Sequence, residues 1–289
     1  MDFYLLVNEK NKTPHPMSTQ TIPLIDTAYT LTPEQIAFFQ KNGFIKLKQV
    51  FSAEEIAYWG PIISNAVRQY NTMTKPMHER NTYEKAFQQI HNLWRRDEKV
   101  REFSLSKRLA KIATELLGVS GVRMYHDQAL YKEPQGGATP WHVDQYYWPV
   151  DTFNTVTAWI PLQETSMEMG PLAFSCGSHR VKVAHDMEIS DQSEEVIRET
   201  IRVKDLPIVD TAFELGEVSF HYGWTLHRAG ANQTDRMRAV MTVIYIEDGT
   251  KMSAPKNKDQ SNDWNWWLSG TRPGEVIQTE LNPVLYRKD

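Results

Sequence analysis

Hydrophobic positions recur at helical spacing up to about residue 120 and at alternate positions from there to about residue 250. Thr32-Pro33-Glu34-Gln35 is a capping box with proline at the first helical position. Ile36, Phe39 and Gln40 follow one turn apart, and Gly43 is placed to end the helix. Phe44-Ile45-Lys46-Leu47 reads as a short strand. Ser52-Ala53-Glu54-Glu55 is a second capping box, opening an amphipathic stretch with Ile56, Trp59, Ile63, Ala66, Val67 and Tyr70 on one side. A third helix is predicted from Ser106 to Leu117, closed by Gly118. All three read as scaffold.

Past Gly121 the period becomes two. Val122–Tyr131, Thr155–Pro161, Pro171–Ser175, Glu217–His221 and Ala239–Glu247 read as strands separated by Gly and Pro. No helix-length pattern alternates with them, which argues against a parallel βαβ sheet. The expected class is mainly β with α: an antiparallel sandwich or barrel with helices packed on one side. Residues 177–211 are charged and poor in apolar positions, and read as a long loop or lid. Residues 1–30 read as an irregular extension, because Thr13-Pro14-His15-Pro16 cannot sit in a helix interior. Met17 is an alternative start. A single domain is expected over 31–289, with a helical part at about 31–120, a β core at about 121–250 and a C-terminal segment at 251–289.

Composition narrows the function. One Cys in 289 residues excludes a disulfide framework, a multi-Cys zinc site and a cysteine-ligated iron–sulfur cluster. The net charge of −4, with no basic cluster, argues against a nucleic-acid partner. No apolar run is long enough to cross a membrane. Met1-Asp2-Phe3 lacks the basic region of a signal peptide, so a cytoplasmic location is expected, with no membrane partner. Either a monomer or a homodimer is compatible with the chain. What stands out is nine His, the commonest metal-ligand side chain.

Two of them sit in informative places. In Thr139-Pro140-Trp141-His142-Val143-Asp144, His142 and Asp144 are two apart, so an extended backbone projects both from one surface. An imidazole and a carboxylate there make two ligands for a divalent metal. A second His from a distant strand would complete a 2-His-1-carboxylate triad, which leaves positions open and suits non-haem Fe(II). The block from Gly216 to Arg238 contains two candidates, His221 and His227. His227 is the better one, because it precedes a Gly/Asn turn that could return Arg238 beside the metal. An Arg there can hold a carboxylate in a bidentate pair.

With these pieces in order, the chain resembles the phytanoyl-CoA dioxygenase family of Fe(II)/2-oxoglutarate-dependent oxygenases. The matching segments are 127–134, 139–144, Tyr147-Trp148, 157–162, Gly170-Pro171-Leu172, Gly177-Ser178-His179, 221–238, 270–274 and Asn282-Pro283. The resemblance implies a double-stranded β-helix, a distorted, cupin-like jelly roll flanked by N-terminal helices. It implies iron held by His142, Asp144 and His227, with 2-oxoglutarate and O₂ as cosubstrates. It further implies that Arg238 pairs with the C5 carboxylate of 2-oxoglutarate, that Trp159 lies beside it, and that Gln128 and Thr139 line the same pocket. Ala229 departs from relatives that carry Ser and an additional bond to the cosubstrate. Asp144 separates the chain from related halogenases, which lack the carboxylate.

Other residues keep two readings. Tyr146, Tyr147, Trp148 and Trp224 flank the ligands and could shape a substrate pocket or pack as core. His179 could touch substrate or close a turn. His221 is expected to be a buried, hydrogen-bonded residue. His126 and Asp127 are adjacent, hence on opposite faces. The expected reaction is oxidation of an unactivated C–H bond of a small organic substrate, a terpenoid, alkaloid or polyketide, with release of succinate and CO₂. Its rivals are an acyl-CoA hydroxylase, a zinc hydrolase and a non-catalytic metal-binding barrel with a sensing or interaction role. The pocket rim is expected in residues 70–95 and 177–211, and Lys75, His78 and Arg80 are the one loose basic group near it.

Overall fold

Residues 25–288 are described in a computed structural model of the chain. Most of the N-terminal extension, and with it the question of Met17, lies outside the described residues. In chain order the elements are α1 (Pro33–Asn42), β1 (Phe44–Leu47), α2 (Ala53–Tyr70), α3 (Thr82–Ala86), β2 (Gln88–His91), α4 (Glu98–Ser104), α5 (Lys107–Leu117), β3 (Gly121–Tyr131) and β4 (Thr139–His142). They continue with β5 (Thr155–Pro161), β6 (Leu172–Ser175), α6 (Asp191–Val203), β7 (Ile208–Asp210), β8 (Val218–Tyr222), β9 (His227–Ala229), β10 (Val240–Glu247), α7 (Lys258–Trp267) and β11 (Val284–Arg287).

The local signals act as the sequence predicts. Thr32 and Ser52 each cap their helix reciprocally with the residue three positions on, and Gly43 ends α1 in the left-handed region at φ 87°. The strands form two antiparallel sheets. The larger runs β1-β8-β5-β10-β3-β11, with β2 also on β3; the smaller runs β4-β9-β6-β7. This is the double-stranded β-helix.

The larger sheet has two different faces. Val156, Ala158 and Ile160 of β5, with Met241, Val243 and Tyr245 of β10, pack outward in one core with Trp59 and Ile63 of α2 and Leu109, Ile112 and Leu116 of α5. Each burial of a Val, Leu, Ile or Met side chain there contributes on the order of 1.5–3 kcal/mol. The alternate residues, Thr157, Trp159, Thr242 and Ile244, face a cavity between the sheets. A bulge opposite Ile244 and Tyr245 shifts the phase of β3, so that Met124 packs outward and His126 lines the cavity.

Asp127 points the other way, as adjacency requires. It is fully buried, and its Oδ2 accepts from the Trp94 amide at 3.1 Å and the Ser104 hydroxyl at 2.7 Å. Burial pushes its carboxyl up to about 7 from the ordinary 3.8, against the pull of those bonds. Between these two values the folded state holds a proton that the unfolded state releases. Stability therefore falls as pH rises from about 4 to about 7, by up to about 4 kcal/mol from this group. Asp127→Asn is expected to remove that share of the slope. Urea denaturation of both proteins at pH 5 and pH 7.5 measures it, and an unchanged slope in the variant would contradict the assignment.

Residues 177–211 differ from expectation. They contain a helix of 13 residues, α6, capped by Ser190. Its apolar stripe is short: Ile197 and Ile201, one turn apart, are buried beside Trp141 and Leu226. So few apolar positions among charges do not register as a helical period.

Candidate metal centre

The smaller sheet builds the donor set. His142 ends β4 and His227 opens β9, and the two are directly paired across the strands. Val143 keeps an extended backbone (φ −123°, ψ 136°) before a short 3₁₀ turn begins at Asp144. His142 and Asp144 therefore still project together. Asp144 Oδ1 lies 3.6 Å from His142 Nε2 and 3.5 Å from His227 Nε2. Donor atoms of the three residues all fall within 4.8 Å of one another.

The tautomers are set by backbone carbonyls. His142 Nδ1 donates to Pro140 O at 2.7 Å, and His227 Nδ1 donates to Thr225 O at 3.0 Å. A carbonyl can only accept, so each proton is on Nδ1 and each Nε2 lone pair faces the cluster. Burial lowers both imidazoles to about 4. Burial alone would raise Asp144, but His227, His221 and His142 hold its carboxyl well below the usual range. Two neutral imidazoles and one carboxylate are what a divalent cation requires of its ligands.

Gly223 makes this approach possible. A Cβ there would lie 2.4 Å from Thr155 Oγ1 and 2.7 Å from the Trp148 ring. Its carbonyl accepts from the Gln145 amide at 3.0 Å, which ties the turn carrying Asp144 to the end of β8.

Arg238 lies on the same cavity, 1% exposed. Its Nη1 donates to Gly170 O at 2.6 Å and its guanidinium stands 5.4 Å from the Trp159 ring centre. Its Nε has no partner, and no carboxylate among the described residues pairs with it. Burial lowers its pKa to about 9. Lys132, bridged to Arg238 through the backbone, is equally buried and is lowered to about 6 by burial and then by Arg238. Arg238 is thus a buried cation without an acid, which is costly unless an anion joins it, whereas Lys132, held to about 6, is mostly neutral at pH 7. Thr139 adds a buried hydroxyl without a partner. The observed groups thus fit both a divalent metal and an anionic cosubstrate.

The cavity, about 1040 Å³, is lined by His142, Asp144, His227, Arg238, Trp159, Gln128 and Thr139, and by Ala229. Of the aromatic candidates, Tyr147 and Trp148 line it. Tyr146, His179 and Trp224 do not. Tyr146 turns into the core beside Trp141 and Ala173, because the 3₁₀ turn sends successive side chains in different directions. His179 stacks on Tyr222 at 5.3 Å, and Trp224 stacks on His185 at 3.7 Å. The expected rim spans contribute Tyr83, Phe87 and His91 from 70–95 and Glu188 and Ile189 from 177–211; His126 also lines the cavity, and α7 adds Asp263, Trp266 and Trp267, which the sequence pattern did not single out. The signal for α7 was the Asn257 cap with Gln260 three residues on. Asn232, a formal glycosylation acceptor, is buried and donates to Arg236 O at 2.7 Å and Glu133 O at 3.1 Å.

A double-stranded β-helix with this donor set defines the class: a 2-oxoglutarate-dependent, non-haem iron dioxygenase. The chain belongs to the phytanoyl-CoA dioxygenase (PhyH) family, whose family model matches residues 39–240. It is 26% identical over 229 residues to a "Probable alpha-ketoglutarate-dependent hypophosphite dioxygenase" of Stutzerimonas stutzeri, covering 73% of this chain and 77% of that one. It is 20% identical over 288 residues to an ectoine dioxygenase of Sphingopyxis alaskensis, covering 91% and 92%. Among solved structures it resembles the non-haem alpha-ketoglutarate-dependent carbocyclase SnoK from nogalamycin biosynthesis, with a TM-score of 0.73 at 24% identity over 88% of this chain and 96% of that one. That likeness concerns the fold. Among the described residues no helix is long and apolar enough to cross a membrane.

Proposed function

We propose that this chain oxidises an unactivated C–H bond of a small organic substrate of the specialised-metabolite type, a terpenoid, alkaloid or polyketide. His142, Asp144 and His227 hold Fe(II), and Arg238 pairs with the far carboxylate of 2-oxoglutarate against Trp159, with Gln128 and Thr139 supplying polar contacts. The carrying observation is the one cavity shared by the three donors and by a buried guanidinium that lacks an acid.

When bound, Fe(II) and 2-oxoglutarate supply the oxidising power: O₂ is split, one oxygen going to succinate with loss of CO₂ and the other to the substrate. The chain's own residues bind, orient and exclude water. Three ligands on one side leave the other coordination positions free for cosubstrate and O₂. Trp148, Tyr147 and Trp267 add aromatic surface to the lining, which suits an apolar body and keeps water out.

The substrate reading rests on the cavity lining. Away from the three donors and Arg238 the lining carries Asp259 and Glu188 with Arg96, while burial pushes the Asp263 carboxyl up to about 7, so two ionised acids face one base there. Polyphosphate is poorly served by such a lining. The loose basic group is also committed: Lys75 pairs with Glu84 at 2.8 Å, and buried Arg80 pairs with Glu133. Family relatives carry names as different as hypophosphite, ectoine and nogalamycin, so membership alone leaves the substrate open.

The test is succinate release by the purified chain with Fe(II), 2-oxoglutarate and O₂, against a panel of terpenoids, alkaloids and polyketides and a set of acyl-CoA thioesters. Free metabolites are expected to stimulate release above the substrate-free level. Stimulation by thioesters alone would give the acyl-CoA reading instead. Metal binding without succinate from any compound would make the chain a silent barrel.

A further inference from the structure

The two oxygens of Asp144 have different surroundings. Oδ1 faces the imidazoles of His142 and His227, at 3.6 and 3.5 Å. Oδ2 accepts from the Thr157 hydroxyl at 3.0 Å and stands 3.2 Å from His221 Nε2. An ionised carboxylate has no proton to give, so His221 donates through Nε2. That is the reverse of the tautomer held at His142 and His227. His221 is 1% exposed, and its Nδ1 has no partner. As mere filling, such a ring would be worse than an apolar one. Its bond to Asp144 is what an apolar ring could not supply.

The two donors are not independently placed. Thr157 on β5 and His221 on β8 are direct cross-strand partners. Opposite residues on one face of an antiparallel pair have Cβ atoms about 4.5–5.5 Å apart. Both side chains face the cavity, so the strand register itself aims two donors at one oxygen. Phe44 of β1 pairs with His221 on its other side and holds the strand from there.

We infer that Thr157 and His221 are positioning residues that form a clamp on Asp144, withholding Oδ2 so that Oδ1 is the single oxygen offered to the metal. A carboxylate free to turn can present both oxygens and take two coordination positions. A clamped one takes one, which preserves the open positions that the cosubstrate and O₂ need. The inference rests on the assignment of His142, Asp144 and His227 as ligands.

The test uses the full chain with Co(II) as a probe metal and, anaerobically, with Fe(II) and 2-oxoglutarate. Thr157→Val and His221→Phe are expected to weaken Co(II) binding about 10–100-fold. Both should also change the Co(II) ligand-field spectrum and the visible charge-transfer band of the Fe(II)–cosubstrate complex. His221→Gln, whose amide can still donate from nearly the same point, should restore affinity and both spectra. A purely structural role would move melting temperature in all three variants and leave the spectra of the folded protein unchanged. Asp144→Ala separates the two levels. If it binds Co(II) like the wild type, the ligand assignment is wrong and the clamp goes with it. If it loses Co(II) while Thr157→Val and His221→Phe keep wild-type affinity and spectra, the clamp alone is wrong. If His221→Phe does not fold, the nearly isosteric Thr157→Val decides. Failure of a folded His221→Gln to restore the spectra overturns the donor role of His221.

Discussion

Replacing His142 or Asp144 with Ala is expected to abolish both iron binding and turnover. Either change removes one of the three proposed ligands, so the loss in metal affinity should exceed the roughly 10–100-fold typical of an outer hydrogen-bond partner. The two variants should differ in stability. His142→Ala deletes an imidazole that is neutral in the fold and leaves one carbonyl, Pro140 O, without its donor. Asp144→Ala leaves Thr157 and His221 without their acceptor, at about 1–3 kcal/mol for each buried group left unmatched. It also removes a carboxylate that its surroundings hold below its ordinary range, a contribution to stability lost with it, so Asp144→Ala is expected to be the less stable of the two. The readouts are metal content after anaerobic loading, the visible charge-transfer band with 2-oxoglutarate, and succinate release. Either variant retaining both the band and turnover would show that the ligand set is wrong.

Arg238→Met is expected to weaken 2-oxoglutarate by about 2–4 kcal/mol, the usual loss when one partner of a buried charge pair is truncated. That is about 30–1,000-fold in affinity. A second consequence separates this from general damage. In the protein without cosubstrate, Arg238 is a buried cation with an unpartnered Nε and no acid beside it. Met fills similar space without charge, so the unliganded variant should be at least as stable as the wild type. Adding 2-oxoglutarate should raise the melting temperature of the wild type and not that of the variant, because a ligand stabilises only the state it binds. Unchanged cosubstrate affinity would remove Arg238 from its role. A variant that is much less stable without cosubstrate would mean that Arg238 serves the fold instead.

The legible and illegible parts of the chain divide by range. The Thr32 and Ser52 caps, the Gly43 stop and the period-two strands depend on residues within four positions of one another. The strand predicted over Thr155–Pro161 matches β5 end to end. Helix α6 was hidden because its buried stripe within the charged stretch is only Ile197 and Ile201 with Ser193. His179 and Trp224 were attractive because of their neighbours in sequence, yet each finds a ring to stack on away from the cavity.

The chain by itself determined the chemistry on offer: a His-x-Asp pair on extended backbone, a later His ahead of a turn, an Arg eleven residues beyond it, and an alternation that keeps one face of each strand apolar. These are short-range consequences of side-chain type and backbone period. The tertiary structure decided which groups meet. The pairing of β4 with β9 sets His142 opposite His227 and leaves His221 outside the donor set. The pairing of β5 with β8 sets Thr157 beside His221, so that both reach Asp144 Oδ2. Packing of the sheets and α7 placed His126, Trp267 and Asp263 on the cavity. Strand register joins residues as many as 177 positions apart, as in the Phe44–His221 pair of β1 and β8. A local pattern specifies which face a residue takes, and only the pairing of distant strands specifies what it faces.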